Sequence, residues 1–357
     1  MTSVAEGRAA YDFTLPDDRI AQEPPEARGG ERSDARLLVL DRGRDVVEHR
    51  AFRELSSFFR PDDVLVLNNA RVIPSFLRGK DTSGRDVAVK VFSPMGDGTW
   101  HCLASPDESC DKGSTFSFGG GDLTGKLLHE EWPYVWRIAL SPQGTDALYK
   151  VAQYIYPPYL KQVPADPEYF QNAYASRPGA TTLPSAGRKF THKMIEEITQ
   201  LGVAVVELTL DIALRPAIEG LGKNAARAKK EAVDAWPPMH YERYDVPIEV
   251  ADAINERRRS GGRVVVCGTS VLRTLETLTD QMGRVYPGRG WTGLFITPGH
   301  RFRACDAFLT NFHRPKSTEL RLTAALAGRE RLLDVYRQEV IPRGYQFYEF
   351  GDAMLIV

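Results

Sequence analysis

The sequence predicts an α/β main domain carrying an inserted small β-barrel domain, and three observations lead there. Short Val- and Leu-rich runs bounded by charge or turn residues, "RLLVLDR" (36–42) and "DDVLVLNNARVIP" (62–74), read as buried strands. Between about 75 and 150 the texture changes to short alternating runs separated by Gly, Asp and Pro, as in a small barrel or sandwich. From about 151 onward helical and strand patterns alternate, which is α/β order.

The elements follow in chain order. "RDVAVKVFS", "TWHCLAS", "STFSFGGGDLTGKLL" and "YVWRIAL" supply the barrel strands. "HKMIEEITQLG" reads as a helix closed by Gly202, "VAVVELTLDI" as a strand, and "PIEVADAINERRRSGG" as a helix. "RVVVCG" is a buried strand leading into "TSVLRTLETL". Because the strands at 62–74 resemble the later part more than the barrel, the expected division is a discontinuous α/β domain, 1–74 and 151–357, with 75–150 inserted. "KNAARAKKEA" (223–232) reads as an exposed helix or loop.

At 357 residues and 42% hydrophobic the chain buries a sizeable core. Lys plus Arg number 46 against 47 Asp plus Glu, so no global basic excess advertises a nucleic-acid partner. Basic residues cluster locally at 226–230, 257–263 and 300–303, where solvated helix faces are the commoner explanation. Cys102, Cys110, Cys267 and Cys305 lack the spacing of a metal site or disulfide scaffold. With no signal-peptide core at the N-terminus and no run of roughly 18 apolar residues, the expectation is a cytoplasmic protein with no membrane partner.

Four constellations could carry chemistry. "LPSAGRKFTHK" (183–193) joins a turn of small residues, Ser185, Ala186 and Gly187, to three bases. It is either a close-approach wall beside an anion site or an ordinary helix entry, with Ser185 a cap and Lys189 and Lys193 sharing a solvated face. "VVVCGTSVLRTLE" ends a buried strand at Gly268-Thr269-Ser270 as a helix begins. That geometry suits an anion or ribose, while a plain cap with Arg273 and Glu276 pairing is the alternative. "DAFLTNFHRPKST" (306–318) packs Asn311, His313, Lys316 and Ser317 around a Pro, offering an amide, a proton carrier and a cation. In "PMHYERY", His240 and Glu242 point the same way if extended.

Taken together and in order, these segments resemble the S-adenosylmethionine:tRNA ribosyltransferase-isomerase family of queuosine biosynthesis. The matching stretches are "YDFTLPDDRIAQEP", "RLLVLDR", "LVLNNARVIP", "YPPYLK", "YFQNAYA", "LPSAGRKFT", "VELTLDI", "MHYERY", "GTSVLRTLE", "PGHRFRACDAFLTNFHRPKST" and "GDAMLI", from Tyr11 to Ile356. The resemblance implies transfer and isomerisation of the ribosyl portion of S-adenosylmethionine onto the aminomethyl group of a deazaguanine base in tRNA. Epoxyqueuosine-tRNA, adenine and methionine are the products. The partners it implies are S-adenosylmethionine, as co-substrate, and that tRNA; it implies no metal and no further cofactor, and it leaves the oligomeric state open, a monomer included. His313 is then the first candidate for proton transfer and His240 with Glu242 the second. The expected substrate-binding group is Asn68, Arg71, Ser185, Ala186, Gly187, Thr269, Ser270, Arg273, Glu276, Asn311, Lys316 and Ser317.

Three positions depart from the family pattern. Where the family usually reads Pro-Thr-Ala-Gly-Leu-His-Phe-Thr, this chain has Lys189 in place of the histidine. Asp211 and Pro237 occupy two further positions where histidine is expected. Lys189 and Asp211 therefore join the catalytic candidates, with an ion pair between them as one arrangement. The departures also leave open a divergent paralogue acting on another acceptor, such as a small molecule, or a non-catalytic binding protein of the same fold.

Overall fold

The computed structural model describes residues 7–132, 135–213, 236, 239 and 241–357. The segment 223–232, Pro237 and His240 fall outside the described residues, so the expectations placed on them are not addressed by the structure.

The strands run in the order β1 (Arg36–Asp41), β2 (Val46–Ala51), β3 (Val64–Asn68) and β4 (Ala70–Val72), then β5 (Phe76–Asp81), β6 (Asp86–Pro94), β7 (Thr99–Ser105), β8 (Thr115–Phe118), β9 (Leu123–Trp132) and β10 (Val135–Ser141). They continue with β11 (Arg177–Ala180), β12 (Ala204–Leu210), β13 (Glu242–Val246), β14 (Val264–Cys267), β15 (Gly288–Thr292), β16 (Ala307–Asn311) and β17 (Ala353–Ile356). Nine of them form one mixed sheet, ordered β15-β13-β12-β3-β14-β16-β17-β1-β2. Its centre is parallel, because β12, β3, β14 and β16 pair in that sense. β5 to β10 close into a separate antiparallel barrel, as the alternating texture predicts.

The central strands show why their sequences are nearly continuous apolar runs. Along β3, Val64 and Val66 pack into one core while Leu65 and Leu67 pack into the other. β14 repeats this, with Val264 and Val266 on one face and Val265 and Cys267 on the opposite. A strand buried on both faces needs apolar side chains at every position, since its period of two sends neighbours to opposite cores. Each fully buried Val or Leu contributes roughly 1.5–3 kcal/mol of transfer free energy. Central placement of these strands therefore dominates the alternatives.

Helices cover the two faces. Val250, Ala251 and Ile254 of the helix Ile248–Arg259, and Val271, Leu272 and Leu275 of the helix Thr269–Thr277, pack on the first face. Met194 and Ile198 of the helix His192–Gln200 pack on the second. The chain thus leaves β3 toward β12 over one face and leaves β14 toward β16 over the other. Between β3 and β14 the connections diverge, and open α/β sheets bind their ligands outside the carboxyl ends of the strands at such a point.

An aromatic seam joins the barrel to the sheet. His101 of β7 meets Trp291 of β15 edge-on at 4.8 Å, and Trp132 of β9 meets the same ring at 4.8 Å. Such pairs contribute about 0.5–1.5 kcal/mol each beyond burial. The basic run 257–259 also has a structural role: Arg257 donates to Pro61 O, Arg258 to Gly283 O and Arg259 to Asn255 O. It is a carbonyl-binding helix end more than a free cationic face.

Candidate active site

The carboxyl ends of β3, β12, β14 and β16 bring Asn68, Asp211, Gly268-Thr269-Ser270 and Asn311 to one edge of the sheet. Asn68 closes this edge. Its Nδ2 donates to Leu210 O at 3.0 Å and to Ser270 Oγ at 3.3 Å, while its Oδ1 accepts from the Ala70 and Leu210 amides. With both ends of its amide committed, Asn68 holds β3, β12 and the start of the helix Thr269–Thr277 together; direct ligand binding is not its evident role. Gly268 precedes that helix at φ 92°, a conformation natural to glycine, and an added Cβ would meet Ala186 Cβ at 3.3 Å. Ala186 is thereby tied to the strand–helix turn. Thr269 and Ser270 open the helix, where the first backbone N–H groups lack intrahelical acceptors.

Against the end of β16 sits the Ser185–Lys189 turn, a single short helical turn whose last two bases are buried. The ordinary helix-entry reading fails here for a clear reason. Thr191, not Ser185, caps the following helix by accepting from Met194 N, and Lys189 is 2% exposed. Lys189 Nζ instead donates to Asn311 Oδ1 at 2.6 Å. Asn311 Nδ2 in turn donates to Ser185 Oγ at 2.9 Å and to Tyr348 O at 3.2 Å. Arg188 turns away, held by Glu26 at 2.8 Å and by Tyr169 O. Gly187 is required by a close approach of protein: an added Cβ would lie 1.7 Å from the Tyr174 hydroxyl.

Burial sets the protonation of this cluster. It draws the Lys189 ammonium down to about 7, with Asp352 opposing and Arg188 assisting. His313 is drawn down to about 4, again by burial first, with Glu319 opposing and Lys189 assisting. Its Nε2 lies 2.9 Å from Thr310 Oγ1, and its backbone amide donates to the Tyr336 hydroxyl. At neutral pH His313 is therefore an uncharged imidazole, and Lys189 is the group poised between its two forms.

Asp211 answers the second departure in the same way. Burial raises it to about 7 against the pull of Arg243, whose Nη1 lies 3.4 Å from its carboxylate. Lys189 and Asp211 thus have separate partners, Asn311 and Arg243, in place of the expected mutual ion pair. Yet both substitutes titrate near the histidine range of about 6.5, because burial moves an ammonium down and a carboxyl up.

The other expected site residues divide by what they touch. Glu242 is ion-paired with Arg273, which also donates to Thr292 O and Leu294 O. Arg273 is committed to protein acceptors, and burial raises the Glu242 pKa despite that cation. Glu276 accepts from the Arg303 and Ala304 amides, both at 2.9 Å, and lies 3.0 Å from His300 Nε2, so it anchors the 300–304 loop and does not pair with Arg273. Arg71 pairs with Glu168, Lys316 pairs with Asp12 at 2.6 Å, and Ser317 caps a helix by accepting from Leu320 N. Missing from the expected group are Tyr348, whose carbonyl holds Asn311, and Asn172, which donates to Pro184 O beside the turn. Their stretches, "YFQNAYA" and the aromatic "GYQFYEFGDA", carried a signal in polar residues set among aromatic rings.

Comparison with known proteins covers the chain almost entirely. A family model described as queuosine biosynthesis protein matches residues 8–356. The chain is 37% identical over 353 residues to an S-adenosylmethionine:tRNA ribosyltransferase-isomerase of Thermoanaerobacter sp. (strain X514), covering 98% of this chain and 99% of that one. A protein of the same name from Moorella thermoacetica is 38% identical over 365 residues, covering 97% and 98%. Among solved structures, the S-adenosylmethionine tRNA ribosyltransferase of Thermotoga maritima aligns with 98% of this chain and 100% of its own, at 31% identity and a TM-score of 0.55.

Proposed function

Since the chain belongs to the queuosine biosynthesis protein family, we propose that it transfers and isomerises the ribosyl moiety of S-adenosylmethionine onto the aminomethyl group of 7-aminomethyl-7-deazaguanine in tRNA. The observation that carries this reading is end-to-end similarity to curated enzymes of that name. Epoxyqueuosine-tRNA, adenine and methionine leave as products.

The chemistry explains what the site must supply. The sulfonium acidifies the neighbouring C5′ hydrogens, so a positioned base removes one, and loss of adenine opens the ribose. The amine attacks in its neutral form, and methionine departs as the epoxide closes. Lys189, buried and titrating near neutrality beside Asn311, is suited to accept a proton there. His313, an uncharged imidazole at neutral pH, is suited to orient substrate or to relay a proton. The N–H groups and hydroxyls at Thr269 and Ser270 are suited to ribose hydroxyls or a carboxylate. The reaction as written calls on no metal or redox group, S-adenosylmethionine being a co-substrate.

The acceptor tRNA and the cytoplasm are the corresponding partner and location. No described helix is long and apolar enough to cross a membrane. The test incubates purified protein with S-adenosylmethionine, with and without deazaguanine-bearing tRNA, and follows adenine and methionine by mass spectrometry. Release that requires the modified tRNA supports the reading; acceptor-independent release, or none, contradicts it.

A further inference from the structure

Three buried polar atoms flank the Ser185–Asn311 cluster and have no hydrogen-bond partner among the described residues: Glu349 Oε2, the Tyr159 hydroxyl and Asn172 Oδ1. Two of them, Glu349 Oε2 and the Tyr159 hydroxyl, lie on chain segments that touch. Tyr348, which precedes Glu349, stacks on Tyr159 with ring centroids 4.4 Å apart and planes 18° apart. The Tyr348 backbone is held at φ 70°, in the left-handed region that a large side chain enters only under constraint, while its carbonyl accepts from Asn311. Asn172 approaches from the other side, through its bond to Pro184 O next to Ser185.

An unpaired buried carboxyl oxygen is costly, and natural structures rarely keep one without a use. Here no arginine or lysine pairs with Glu349 among the described residues. What would satisfy this corner is a group with N–H donors for the carboxyl and a flat apolar face for the tyrosine pair. We infer that Glu349, with Tyr159 and Tyr348, receives the N–H-bearing edge of a purine-type base. The inference rests on the proposed function, in which two such bases occur: the adenine of S-adenosylmethionine and the deazaguanine of the acceptor. Burial raises the Glu349 carboxyl to about 7, so its proton state also responds to whichever base arrives.

The test is Glu349→Gln in the full chain, which keeps size and removes an acceptor. Measured are S-adenosylmethionine affinity by calorimetry without acceptor, KM and kcat for deazaguanine-bearing tRNA, and the melting temperature. The expected result is a loss of about 10- to 100-fold in one of the two affinities, the scale of a hydrogen bond to a charged group. The melting temperature should stay the same or rise, because a buried carboxyl oxygen without a partner has been removed. Weakened S-adenosylmethionine binding assigns the corner to adenine; intact binding with a raised tRNA KM assigns it to the deazaguanine. Both affinities within twofold of wild type overturn the inference, and so does a lowered melting temperature accompanying any loss. A wild-type chain that neither binds S-adenosylmethionine nor modifies the tRNA would instead overturn the functional reading underneath.

Discussion

Lys189 Nζ donates to Asn311 Oδ1 at 2.6 Å, joining a short turn to the end of a central strand 122 residues away. This bond replaces the Lys189–Asp211 pair that the sequence offered, and it makes a distinction in coupling. Because Lys189 and Asn311 share one hydrogen bond, the losses in kcat/KM from Lys189→Ala and Asn311→Ala should be markedly non-additive. Those from Lys189→Ala and Asp211→Ala should combine close to additively. Double-mutant cycles on both pairs measure this, and coupling confined to Lys189 with Asp211 would refute it.

A second prediction concerns pH and activity. If neutral Lys189 accepts a proton, kcat/KM rises as pH passes through about 7, and Lys189→Met removes that limb. The size of the loss should be roughly 100-fold or more, as for other general bases. A Lys189→Met enzyme that keeps both rate and limb would exclude Lys189 from proton transfer.

The same group has a stability signature of definite sign. Its folded pKa, about 7, lies below the value of about 10.4 expected when unfolded. Between those values the unfolded chain holds a proton that the folded chain has released, so stability rises with pH across the window. Removing the lysine removes that slope. Lys189→Met should therefore compare most favourably with wild type below pH 7 and lose this relative advantage toward pH 10.5. Urea unfolding at the two ends of the range would detect it, and a constant difference would contradict it.

Glu242 and Arg273 yield a fourth prediction. They pair with side chains 10% and 7% exposed, so removing either partner leaves a buried charge uncompensated. Arg273→Ala and Glu242→Ala should each cost about 3–5 kcal/mol of stability, and the double change clearly less than their sum. Chemical denaturation measures all three. Additive losses would show that the pairing contributes little.

Gly187 gives a local test of the close approach at the turn. Gly187→Ala drives a methyl into the Tyr174 hydroxyl and should cost about 1–3 kcal/mol or more. Tyr174→Phe in the same chain should restore part of it, because the nearest contact, 1.7 Å, is to that oxygen. Melting temperatures of the three variants decide the matter.

How far the site was legible depends on the range of the signal. Period and composition are local, so β3, β14 and the barrel strands followed from their own residues. The cluster of Ser185 with Asn311 was also legible, since both lie in motif-bearing stretches. Partner choice is set by tertiary placement instead, and there the sequence fell short. Arg273 looked free for an anion, yet Glu242, arriving from strand β13, occupies it. Lys316 stands three residues from His313, but its backbone turns at φ 58° and its ammonium meets Asp12. Lys189 and Asp211 looked unlike the histidines they replace, because reference pKa values belong to solvated groups. Burial brought both to about 7, a shift invisible without the fold.

If the chemistry takes place where Lys189 and Asn311 adjoin the Thr269–Ser270 helix start at the carboxyl ends of the parallel strands, S-adenosylmethionine binds there. The most direct measurement is a crystal structure of the protein with S-adenosylmethionine bound. The expected result is the ligand at the carboxyl ends of β3 and β14, within hydrogen-bond reach of Thr269 or Ser270 and with its C5′ facing the Lys189–Asn311 pair. A ligand bound in the barrel or on the outer strands β1 and β2 would contradict this placement.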